Sequence, residues 1–158
     1  MNLKSIISKC FGNVFSNADV PKQVPENVQA DSLILAGTTD LGMLYVDVDK
    51  TGIVQKEGQY YLTVYAKEKY TDRIFLRTLR KEKELKNVVA AVYLYLFDNN
   101  GSSYCTAANY LVDEQGKVCL DCGKDMQMKA LTVDDTTMMN AYTICLKALE
   151  LKQNENND

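Results

Sequence analysis

The chain has 158 residues, of which 46% are hydrophobic and 25% charged, and a net charge of −3; this suits one globular domain with its own core and excludes wholesale disorder. There is no histidine, which removes the commonest general acid or base near neutral pH, the usual partner of a Ser or Cys nucleophile and the commonest transition-metal ligand. The basic residues are spread along the chain rather than gathered, so no nucleic-acid footprint is present.

Leu3, Ile6, Ile7, Cys10 and Val14 recur at helical spacing and predict a short amphipathic helix over residues 2–15. Such a helix packs on the domain or lies on a membrane surface, the one membrane contact expected here, because no run approaches the roughly 18 apolar residues that span a bilayer. Lys9 interrupts the apolar stretch that a secretion signal needs, and it precedes Cys10 where a lipoprotein signal places a small residue. The chain therefore reads as cytoplasmic or already processed. Both prolines, Pro21 and Pro25, fall in residues 16–31, which read as a linker.

From Ser32 the period changes to that of strands. Ser32 to Ala36 is a short apolar run, and Met43 to Asp49 alternates Leu44, Val46 and Val48 against Met43, Tyr45, Asp47 and Asp49. A polar connection from Gly52 to Gly58, with a short extended Ile53-Val54, leads to Gln59 to Lys67, where Tyr60, Leu62, Val64 and Ala66 alternate with Tyr61, Thr63, Tyr65 and Lys67. Residues 71–86 lack Gly and Pro and place Glu82 four residues before Lys86, so a helix is expected, unless the opening residues prolong the preceding strand. Val88 to Phe97 is near-continuously apolar and β-prone, as in a strand covered on both faces. Asn99-Asn100-Gly101 then turns the chain into Tyr104 to Val112, and Asp113 to Gly116 turns it into Lys117 to Cys122. Met138, Tyr142, Cys145 and Leu149 form the stripe of a last helix from about Asp134 to Lys152.

The expected fold is α+β: an antiparallel sheet of about five or six strands, a C-terminal helix on one face and the N-terminal amphipathic helix. Residues 1–31 are helix and linker, 32–152 the single domain and 153–158 a polar tail.

Tyr45-Val46-Asp47 before the Gly52 to Gly58 connection, Tyr104-Cys105 leading to Tyr110-Leu111-Val112-Asp113-Glu114-Gln115-Gly116-Lys117, and a helix carrying Cys145 resemble the surface-adhesin protein E-like family of small bacterial proteins. The resemblance spans about residues 32–148 and implies a β-rich domain, exported or lipid-anchored and linked to adhesion, with no catalytic residues to carry over. The family's early tryptophan is missing here.

Cys119-Leu120-Asp121-Cys122-Gly123 has the Cys-x-x-Cys-Gly form of a zinc knuckle, but with no histidine it needs Cys105 and Cys145 to complete a site. Ordinary thiols are the expected reading. A redox role is disfavoured, since the pair follows a strand rather than opening a helix and Asp121 opposes a thiolate. Strict alternation places Cys105 with Ala107, Asn109 and Leu111 on the face a covering helix would bring to Cys145, and the resemblance points to the same pair. Proximity is expected, with a disulfide only in an oxidising compartment, closing a loop of roughly 40 residues. Asp47 and Asp49 alternate onto one strand face, as a solvated edge or a carboxylate pair. Tyr61, Tyr65, Tyr93 and Tyr95 are the candidate binding surface, alongside Asp47 and Asp49.

The expected function is thus non-enzymatic binding of a protein, peptide or glycan, without cofactor or metal, in the cell envelope if the resemblance holds. The alternative is a cytoplasmic structural or regulatory subunit that associates through its N-terminal helix.

Overall fold

The computed structural model describes residues 14–15 and 32–157. Among these residues nine strands make one sheet: β1 (Val14–Phe15), β2 (Leu33–Thr38), β3 (Gly42–Asp47), β4 (Gly52–Lys56), β5 (Gln59–Tyr70), β6 (Ala90–Phe97), β7 (Ser103–Val112), β8 (Val118–Asp121) and β9 (Asp125–Ala130). Helix α1 (Arg73–Leu79) lies in the β5–β6 connection and α2 (Thr136–Asn156) follows β9. Every described pairing is antiparallel except that of β1 with β4. The α+β class and the C-terminal helix are as expected. The expected N-terminal helix falls on residues outside the described ones, apart from Val14–Phe15, which form a strand.

The sheet has more strands than the sequence suggests because each flank is divided. The 12-residue β5 pairs with β4 along residues 59–63, with β3 along 66–70 and with β6 on its other side. In the same way β7 pairs with β8 along residues 110–112 and with β9 along 103–106. The polar Gly52–Lys56 segment is a full strand, and β9 (Asp-Met-Gln-Met-Lys-Ala) is a short edge strand that alternates polar and apolar residues but has no buried position. Residues 71–86 give only the two-turn α1 and a 3-10 turn at Lys83–Leu85. Nothing in α1 is buried, and a short helix without a buried stripe has little to extend it.

Register divides the core between two faces. On the helix side Leu62, Val64 and Ala66 of β5 lie beside Phe97, Tyr95 and Tyr93 of β6. Over them α2 lays Ala141, Tyr142, Cys145, Leu146 and Leu149, which recur at helical spacing. The reverse face carries Tyr65, Ala90, Val92, Leu94, Ala108 and Val112, with Val54, Leu96 and Cys105 beside them, all buried. The helix runs to Asn156 and buries Gln153, so the expected polar tail begins inside it.

Two close approaches fix α2 and the sheet edge. A Cβ on Gly42 would overlap the Lys69 carbonyl across the β3–β5 pairing, and one on Gly101, whose φ is +70°, would overlap the Tyr142 ring. Thr137 donates to the Thr38 carbonyl at 2.7 Å and Asn140 to the Ala36 carbonyl at 3.0 Å, which ties the helix to β2 and occupies acceptors of that edge strand.

Candidate functional site

The helix-side face holds two apolar clusters. One lies under α2; the other, Val88, Ala91 and Leu111, lies under the β5–β6 connection with Leu79 and Leu85 against it. Tyr93 packs against both. Between them runs a polar seam.

Its centre is Glu68, at the inward position that continues the Leu62, Val64, Ala66 alternation and only 7% exposed. A buried carboxylate costs several kcal/mol unless hydrogen-bonded, and two neutral hydroxyls answer it. Thr39, in the β2–β3 turn, donates to Oε2, and Tyr93 donates to Oε1 at 2.8 Å. The Tyr70 phenol lies against that of Tyr93 and packs edge-on to Phe75 of α1 at 4.8 Å. Tyr93 stacks on Tyr95 at 5.1 Å and 14°, and Tyr104 meets Tyr95 edge-on at 5.6 Å. Across the strand pair from Tyr93 is Asn109, whose Oδ1 is buried with no hydrogen-bond partner among the described residues. Tyr70, Tyr93, Tyr104 and Asn109 are half-buried, so the seam reaches the surface.

Burial, then the charge on Glu68 and the neighbouring rings, keeps these phenols neutral. Tyr70 is pushed up to about 12, and Tyr93 and Tyr95 are pushed further above the ordinary phenol value. The nearest thiols are also raised by burial: Cys119, which packs against the Leu111 cluster, and Cys122, beside Tyr70. None is poised as a nucleophile at neutral pH.

The structure divides the residues expected to form a binding surface. Tyr93 and Tyr95 are in the seam, whereas Tyr61 and Tyr65 belong to the reverse face with Val54 and Leu94. Asp47 and Asp49 do not make a carboxylate pair. Strand β3 ends at Asp47, and Val48–Lys50 is a 3-10 turn whose Asp49 N–H donates to Asp47 Oδ1 at 3.1 Å. Asp47 is 1% exposed and Asp49 lies in solvent.

Cys105 and Cys145 are both buried and both free thiols, and the sheet lies between them. The reason is a β-bulge. Leu94 pairs with Ala108 but Tyr95 pairs with Thr106, so Ala107 is an extra residue that inverts the alternation of β7. Cys105 then stands opposite Leu96 on the reverse face, while Asn109 and Leu111 keep the helix side. The four described thiols therefore do not converge, and among the described residues no three His, Cys, Asp or Glu side chains are grouped to hold a metal.

Glu68, Thr39 and Asn109 escape a reading of the sequence. Only Glu68 leaves a trace, as a charge at an apolar beat once β5 is extended to Tyr70.

Away from the seam, the end of α2 is held by Lys152, whose ammonium donates to the Val48 and Asp49 carbonyls, each at 3.0 Å. Replacing it, Lys152→Met, removes two charge-assisted bonds and is expected to cost about 1–2 kcal/mol. Urea unfolding checks this, with an unchanged midpoint as the contrary result.

No protein-family model matches the chain, and neither the curated proteins nor the solved structures contain a significant match.

Proposed function

We propose that the chain is a non-enzymatic binding domain that engages a peptide or glycan partner across the tyrosine seam of its helix-side face. The observation that carries this reading is the orphaned Asn109 Oδ1 across from the half-buried Tyr93, on the seam that Tyr95 continues to the half-buried Tyr104. A buried acceptor without a donor costs about 1–3 kcal/mol, and a partner's N–H or O–H group recovers that cost. Tyrosine rings suit the task because they offer contact area and a polar tip while ordering few torsions. The raised thiols and phenols around the seam favour recognition over chemistry.

The test is selection from a displayed peptide library and a glycan array. Ligands enriched on the wild-type protein are expected to bind about tenfold or more weakly to Tyr104→Ala, with folding of the variant verified by its unfolding transition. Failure to enrich any ligand, or ligands indifferent to Tyr104→Ala and Asn109→Leu alike, overturns the proposal.

A further inference from the structure

Resting on that reading, we infer that the group the seam selects is a cation, specifically an alkylammonium such as a lysine side chain or a free amine carries. Glu68 is 7% exposed, yet its two oxygens are met only by the hydroxyls of Thr39 and Tyr93. Among the described residues no basic side chain pairs with Glu68, whereas Asp47 has Lys50 and Asp125 has Lys129. The unmet hydrogen-bonding capacity of the seam includes acceptors, the second lone pairs of Glu68 and the free Oδ1 of Asn109. Beside them stand the rings of Tyr70, Tyr93 and Tyr95, the last two stacked on one another, an apolar wall for the alkyl stem that carries the charge.

A neutral hydroxyl could satisfy Asn109 but would leave the Glu68 charge without a counterion in a poorly solvated place. A guanidinium binds best as a two-pronged fork on one carboxylate, and here each oxygen already accepts a bond from a different element, β2–β3 turn and β6. An ammonium is a compact charge with three separate donors and needs only single lone pairs. It reaches the carboxylate past the half-buried Tyr70 and Tyr93.

The experiment is an amide-resolved NMR titration of the full chain with n-butylammonium chloride at constant ionic strength, with n-butanol as the neutral isostere. Saturable shifts at Glu68, Tyr93 and Asn109 with the amine alone, weakened about tenfold or more in Glu68→Gln, are expected. No saturable shift, equal shifts with butanol, or undiminished binding in Glu68→Gln overturns the inference. Should Glu68→Gln fail to fold, Asn109→Leu takes its place: weakened amine binding is expected, and full affinity overturns the assignment to the seam. N-acetyl-lysine methylamide and spermidine separate the two sources of the group, the tighter of them showing whether a peptide or a free amine is read. A library-selected ligand without lysine, together with silence towards butylammonium, would remove the cation while leaving the binding reading intact.

Discussion

Raising the pH above about 10 is expected to unfold this domain cooperatively rather than simply to ionise its tyrosines. Tyr65, Tyr95 and Tyr142 are 6%, 7% and 9% exposed, and burial pushes Tyr65 and Tyr142 up to about 12 and Tyr95 further. In the unfolded chain the same phenols ionise near their ordinary value of about 10. The stabilisation from keeping them neutral is therefore complete below pH 10 and is lost as the pH rises from there towards the folded values, because the unfolded state releases protons that the folded state retains. Each buried phenol lowers stability by up to about 1.4 kcal/mol per pH unit in that window, so three remove about 4 kcal/mol per unit from a total that is typically about 5–15. Cys145, pushed up to about 12 by burial first of all, adds to the loss from its ordinary thiol value upward. Tyr70 and Tyr93 are half-buried, and solvent screening makes their contributions smaller. Denaturant midpoints recorded against pH, alongside tyrosinate absorbance, check this. The two transitions should coincide, whereas complete ionisation at about pH 11 with native circular dichroism intact contradicts the burial of these rings.

The same distribution of tyrosines marks what the sequence could and could not disclose. Strand period, turn chemistry and the α2 stripe are local, so β5, β6, β7 and α2 were legible: the Asn99-Asn100-Gly101 turn appears with Gly101 at φ +70°, and Met138, Tyr142, Cys145 and Leu149 face the sheet. The pairing of two short strands along each side of a long one is not local, and neither is the bulge at Ala107. One extra residue reverses the facing of everything beyond it, which is why Cys105 departs from Asn109 and from the helix bearing Cys145. For the same reason the tyrosines of β5 and β6 cannot be sorted by residue type. Odd-numbered Tyr61 and Tyr65 pair with Val54 and Leu94, odd-numbered Tyr93 and Tyr95 with Ala66 and Val64, and only the register tells which set shares a face with α2. The seam itself arises from that register, since Glu68 acquires its partners from residues 29 and 25 positions away.

Phe97→Ala is expected to be the most damaging single truncation in the helix-side core. Phe97 ends β6 fully buried, and its ring joins three elements: it stacks with Tyr104 of β7 at 5.6 Å, tilts against Tyr142 of α2 at 5.5 Å and meets its neighbour Tyr95 edge-on at 6.4 Å. Removing it forfeits the transfer free energy of the ring and leaves a cavity, about 3–5 kcal/mol in all for a buried aromatic. The site has little freedom to collapse. Tyr142 already touches the Gly101 turn, where even a Cβ would overlap the ring, and its hydroxyl donates to the Asn99 carbonyl at 3.4 Å. Tyr104 is held on β7 by its register with Phe97 on one side and Lys129 on the other. The loss should appear as a lower urea midpoint with an unchanged slope. Ile74→Ala, on the 77% exposed flank of α1, is the control and should stay within about 0.5 kcal/mol. A loss in Phe97→Ala below about 1.5 kcal/mol would mean that Tyr104 or Tyr142 swings into the vacated volume. The stack on which the tyrosine seam rests would then be softer than its packing implies.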